Sequence, residues 1–197
     1  MVKQATGILC AAIAIGTATL SLMSGTGVVQ SGQVAASSTA AKPDVAVERA
    51  RREVRLLDDI YKTSIVLITE HYVHDDEDLP AGSAFKALFS AVEEAGWHQV
   101  RLLDASGEPY NDENEPAEGF EKRAVAKLLA GQPSYDEIEQ DGGRRYLRAA
   151  TAIPVVMEKC IMCHENYRDV PKGQAIGAIG YRVPILSDGE ILKPAEQ

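Results

Sequence analysis

Cysteine is scarce in this chain: there are three, at positions 10, 160 and 163, and none between 11 and 159. A disulfide framework needs cysteines spread along the chain, so that class is excluded. A closed zinc site wants four Cys/His ligands, usually as two pairs, and a second pair does not exist. Methionine, histidine and cysteine are all missing after His164. No sulfur or imidazole ligand can therefore come from the C-terminal segment. Lys/Arg clusters are also missing, and the formal net charge is −9. A nucleic-acid or anionic-membrane partner is not expected. Acidic surfaces can dock basic redox partners, although a solvated acidic surface accounts for the same charge. No internal repeat or low-complexity tract interrupts the folded part.

What remains is an ordinary globular composition, 45% hydrophobic and 25% charged over 197 residues, enough for one domain plus extras. Residues 1–41 stand apart. Lys3 is their only charge before Lys42, and Ile8 to Val29 is built from Ala, Ile, Leu, Gly, Thr, Ser and Val. A basic start, an apolar run and the small-residue tail VAASSTAA read as a cleaved signal peptide. The alternative is an uncleaved anchor, since about 20 apolar residues span a bilayer. Either way residues 44–190 are expected to be extracytoplasmic, periplasmic in a bacterium, with 191–197 as a tail. Cys10 follows GIL, a poor lipoprotein processing site, and reads as apolar filler.

Pro43-Asp44 opens a stretch free of Gly and Pro, with Leu57, Ile60, Tyr61, Ser64, Ile68 and His71 at helical spacing. A second helix, SAFKALFSAVEEAG, stops at Gly96. HQVRLLDA reads as a strand, SGEPYNDENEP as turns and GFEKRAVAKLLAG as a third helix. SYDEIEQ and RRYLRAATAI flank Asp141-Gly142-Gly143, a hairpin signal, and AIGAIGYRVPI alternates like a last strand. The order predicts an α+β fold rather than an all-helical cytochrome.

Cys160-Ile161-Met162-Cys163-His164 is C-x-x-C-H, the attachment signature of c-type haem. Two thiols at this spacing can each add to one porphyrin vinyl group, and the next residue brings an imidazole to the iron. One covalent haem c is expected, with His164 as proximal ligand. A thioredoxin-like C-x-x-C would sit early in a βαβ unit, whereas this one follows a hairpin near the C-terminus. Export agrees with haem attachment, which occurs outside the bacterial cytoplasm.

Electron carriers complete the iron with Met or His, whereas an open position admits gas or peroxide. Met1 and Met23 lie in the leader, Met157 is one turn before the motif and Met162 lies inside it. None is placed to reach the opposite haem face. Of the remaining histidines, His71 falls on the apolar side of the long helix and is the expected sixth ligand. His74 adjoins an acidic, solvated run, and His98 follows Trp97 at a strand start, where a surface or capping role is expected. Five-coordinate or Lys-ligated iron is the other option. The pattern names no contacts for the propionates, although Arg144, Arg145 and Arg148 are near the motif in sequence.

Residues 45–190 resemble the c-haem-binding PAS-like sensor domains, the haem-receptor family, which includes a small cyanobacterial protein and periplasmic parts of some chemoreceptors and histidine kinases. The resemblance rests on the long helix, Asn114-x-Pro116 followed by Gly119-Phe120-Glu121, RYLRAATAIPVVMEKCIMCH, and Gly173 to Pro184. It implies a PAS-like antiparallel sheet flanked by helices, and redox or gas sensing. In the cyanobacterial relative a cysteine of the long helix ligates the iron. This chain has no cysteine there, and His71 is the substitute. Imidazole in place of thiolate removes negative charge from the iron and should raise its potential.

Three functions follow: a redox or small-ligand sensor, a soluble one-electron carrier, or a haem peroxidase. A peroxidase needs an open iron position, which a ligating His71 would deny, so an enzyme is not expected. No output segment is evident, so a sensor would work through a signalling partner, as a carrier would through a redox partner. A membrane contact would come only through an uncleaved N-terminal segment.

Overall fold

The structure, a computed structural model, describes residues 42–74 and 80–192. The leader expected over 1–41 lies outside them. Among the described residues, no helix is long and apolar enough to cross a membrane.

The first helix, α1, spans Val45–Tyr72. Asp44 starts it by accepting the Ala46 and Val47 amides at 3.1 and 3.3 Å, satisfying donors that lack a partner in the first turn. α2 (Ala81–Glu94) ends where Gly96 turns to φ 78°. Strand β1 (Gln99–Asp104) follows, then α3 (Phe120–Leu129), β2 (Ser134–Asp141), β3 (Arg144–Pro154), α4 (Glu158–Cys163) and β4 (Ala175–Pro184). The expected α+β fold with a long N-terminal helix is what forms.

The four strands make one antiparallel sheet in the order β1-β4-β3-β2. Gly142 and Gly143, at φ 55° and 78°, close the β2–β3 hairpin with two left-handed residues, the geometry that matches strand twist. Gly177 of β4 is needed for a different reason: a Cβ there would stand 3.0 Å from the Leu103 carbonyl oxygen on β1.

Alternation along the strands sorts the core into two clusters. Leu147, Ala149, Ile179, Tyr181 and Val183 point to one face and pack with Val47, Ala50, Val54 and Tyr61 of α1 and Phe85 and Phe89 of α2. Leu103, Ala150 and Ala178 point to the other face and meet Phe120, Ala124 and Leu128 of α3. Each fully buried Leu, Ile or Val contributes about 1.5–3 kcal/mol. α3 is only 10 residues long, so it shields part of its face and leaves the rest to charged side chains.

The stripe on α1 is rotated from the sequence expectation. Its buried and half-buried line runs Val47, Ala50, Val54, Leu57, Tyr61, Ile65 and Ile68, while Ile60 is exposed. At about 100° per residue, His71 lies roughly 80° off the centre of that line. In the last turn the buried side belongs to Thr69, and His71 is exposed.

Candidate functional site

Pro154 ends β3 with a break in register: Ile153 pairs with Gly177 but Pro154 with Ala175. Proline has no N–H to continue a ladder, so the chain leaves the sheet here. It returns at Ala175, and residues 155–174 carry the C-x-x-C-H motif as an excursion between two paired strands.

Within that excursion α4 is little more than one helical turn. The Cys160 amide donates to the Met157 carbonyl at 3.1 Å, and the His164 amide to the Cys160 carbonyl at 3.2 Å. The four-residue bond puts Cys160 and His164 on one side of the turn, with Cys163 closing the helix between them. Cys160 is a free, half-buried thiol.

Aromatic rings hold the His164 imidazole. Tyr167 stacks on it at 4.8 Å and 19°, and Tyr110 meets it edge-on at 5.6 Å and 79°. Burial holds His164 below its ordinary pKa, and the nearby Asp104 charge opposes that shift. The ring is therefore neutral at pH 7, the form that ligates a metal. Asp104 is itself buried at the end of β1, accepting the Ser106 hydroxyl and the Gly107 amide, both at 2.7 Å. Tyr110, Val156 and Met162 leave large apolar surfaces exposed around the motif, which is the surface a flat apolar group would cover. Donor set, protonation state and apolar surround all fit a haem.

Lys159, next to the first motif cysteine, reaches the end of α1. Its Nζ donates to the carbonyls of Val73, Glu70 and Thr69 at 2.7, 2.8 and 3.2 Å. These are end carbonyls without helical partners, and a cation there also favours the helix dipole. The clasp brings the motif segment to the last turn of α1, which carries His71. Both His71 and His74 are exposed there. No group of three or more His, Cys, Asp or Glu is assembled as a metal cluster among the described residues.

One sequence expectation is corrected. His98 is neither on the surface nor a cap: it is 8% exposed, and its Nε2 lies 3.1 Å from the Tyr61 hydroxyl. It packs inward at the start of β1, whereas Asp104, which acts on His164, closes the other end. The arginines close to the motif in sequence are carried away from it. β3 is extended, so Arg144, Arg145 and Arg148 lie about 20–33 Å along the strand from Pro154. Arg145 pairs with Asp44 at 2.6 Å, and Arg148 with Glu139 at 3.3 Å. Arg55 and Lys62 of α1 line a cavity of about 430 Å³ with Asp58, Pro154 and Gly173, where Lys62 is paired with Asp58 at 3.0 Å and with the Ala152 carbonyl at 2.9 Å.

Residues 37–183 match the family model described as Tll0287-like. The chain belongs to the Tll0287-like family. Tll0287-like proteins are known as a family of c-type haem domains, related to a cyanobacterial protein. The match spans α1, the sheet and the motif, so the Tll0287-like assignment rests on the whole described domain rather than on five residues. No curated protein matches the chain. The Lys159 clasp, the Tyr110 and Tyr167 contacts of His164 and the Asp104 charge are not among the sequence expectations. Tyr167, three residues past the histidine, was the one local signal of them.

Proposed function

We propose that this Tll0287-like chain is an extracytoplasmic haem c protein that senses a redox change or a small ligand and signals through a partner. One haem would be held by thioether bonds to Cys160 and Cys163, with His164 as proximal ligand. Bound there, a haem supplies one-electron redox chemistry and a site for diatomic gases. The chain's own part is to orient His164 against Tyr110 and Tyr167 and, by burial, to favour its neutral form.

The observation that carries the sensing reading is the Lys159 clasp. It joins the residue beside Cys160 to the end of a 28-residue helix. A shift of α4 on a change of iron state would therefore be carried through Lys159 to α1, and from there to a partner. His71 is the proposed sixth ligand. It is exposed in the turn that Lys159 grips, whereas His98 is buried and engaged with Tyr61. A one-electron carrier is the second reading, supported by the exposed rim of Tyr110, Val156 and Met162, which would leave a haem edge accessible.

Visible and EPR spectra of the matured protein test the assignment. His71→Ala should convert a six-coordinate low-spin spectrum to a five-coordinate high-spin one, and an unchanged spectrum removes His71 from the iron. Rapid carbon monoxide or nitric oxide binding by the reduced protein supports sensing. Refusal of both gases with fast electron exchange supports the carrier. Loss of covalent haem in neither Cys160→Ala nor Cys163→Ala would overturn the haem c reading itself.

A further inference from the structure

α1 carries a second apolar stripe, on the side turned away from the sheet. Leu56, Ile60 and Leu67 are exposed at 61, 49 and 51%, with the exposed Thr63 between them. At about 100° per residue the four fall within roughly 60° of one another. Their centre lies about 130° around the helix from the line that packs on the sheet. A surface helix needs one apolar stripe, and its opposite face is ordinarily polar. The steps between these positions, four, three and four residues, are those of a coiled-coil seam rather than of scattered surface side chains. A contiguous exposed row of this kind marks an interaction surface.

The charges along the stripe say what covers it. From Val45 to Leu56 the helix carries four arginines, at 49, 51, 52 and 55, against Glu48 and Glu53. From Val66 to Tyr72 its only acid or base besides His71 is Glu70. The two ends of the helix thus differ in sign. Arg52 and Glu70 border the same flank of the stripe at its opposite ends. Both are exposed, and neither is in an ion pair among the described residues. Lys159 takes the Glu70 carbonyl and not its carboxylate. Two copies of α1 laid antiparallel therefore complement each other. With Leu56 opposite Leu67 of the second copy, Ile60 meets Thr63 and Arg52 comes alongside Glu70. Two-fold symmetry makes each of these contacts twice. On the other flank Glu53 comes opposite His71, so no carboxylates face each other. A parallel pair in register would instead set Arg49 against Arg49 and Arg52 against Arg52, and like charges oppose that arrangement.

We propose that the outer face of α1 is the interface of a two-fold dimer of this chain, two α1 helices packing antiparallel along Leu56, Ile60, Thr63 and Leu67. The seam runs about 30 Å along the helix, from Arg52 to His71. The dimer is independent of the haem reading. Sedimentation velocity of the full haem-loaded protein, at up to about 100 μM, tests it. A species of twice the chain mass is expected. Ile60→Glu and Leu56→Glu each put a carboxylate into the seam and should leave a monomer with an unchanged haem spectrum. Arg52→Glu sets a carboxylate against Glu70 at both ends, and should weaken dimerisation about tenfold or more. Adding Glu70→Arg restores the opposite signs and should recover the dimer. A monomer at every concentration, which would leave the stripe to the leader or to another protein, overturns the proposal. So does a dimer that survives both Ile60→Glu and Leu56→Glu, one that Arg52→Glu leaves undiminished, or one that Glu70→Arg fails to rescue.

Discussion

Replacing Lys159 with methionine keeps the length of the side chain and removes only the ammonium that grips α1. Three carbonyls lose a charged donor, at 2.7, 2.8 and 3.2 Å. One net hydrogen bond from a charged group contributes about 1.5–3 kcal/mol. The three contacts share one charge, however, and the freed carbonyls can turn to water. The loss is therefore set near a single charged hydrogen bond plus a dipole contribution, about 2 kcal/mol. For a domain near 150 residues this lowers Tm by about 4–8 °C. Because the contacts fall on one turn, the effect should also be local. Amide exchange over residues 68–73 should quicken up to about thirtyfold, the factor matching 2 kcal/mol, while β3 and β4 change little. Scanning calorimetry and hydrogen-exchange mass spectrometry check both parts, with Lys159→Arg retaining most of the protection. A Tm within about 1 °C of the parent together with unchanged exchange in the last turn would refute the reasoning. The mechanical link invoked for sensing would go with it.

Two further expectations follow from the core. Burial holds His98 below its ordinary pKa of 6.5, so the unfolded chain takes up its proton first as pH falls. Stability from neutral His98 is fully present above about pH 6.5 and declines below it, toward the lowered folded-state value, at up to 1.4 kcal/mol per pH unit. Protonation would also turn Nε2 into a donor facing Tyr61, whose hydroxyl burial keeps protonated. His98→Gln should flatten that part of a Tm–pH curve, and a slope that persists unchanged assigns it to other groups. Leu147, fully buried between α1 and the sheet, should cost about 2–5 kcal/mol on replacement by Ala. Denaturant unfolding measures it, and a loss below about 1 kcal/mol would mean the site collapses without a cavity.

Much of the architecture was legible because its signals are local. Asp44 at a helix start and the glycine pair at 142 and 143 each act on the few residues around them. The hairpin signal placed β2 and β3, and period-2 alternation placed β4, since a strand exposes its two faces whatever it pairs with. The face of α1 was less legible. Ile60 and His71 fit a helical stripe in the sequence, yet the sheet selects the line through Val54, Tyr61 and Ile65, and a helix can be rotated without altering its pattern. His98 was misplaced for a related reason: a lone histidine has no periodic signal, and only the arrival of Tyr61 makes its burial tolerable.

The attachment motif needed no tertiary information. Its two thiols and its imidazole lie within five residues, and one helical turn is enough to bring Cys160 and His164 to the same side. Everything that surrounds it did. Tyr110 and Asp104 come from β1 and the loop after it, and Lys159 meets α1 some 90 residues earlier. The reverse also holds for Arg148, close to the motif in sequence and carried away from it by an extended strand. A C-x-x-C-H motif is a short-range pattern that a sequence can state by itself. Which groups surround the motif, and which helix Lys159 clasps, are set by strand pairing and helix packing, whose partners are distant along the chain.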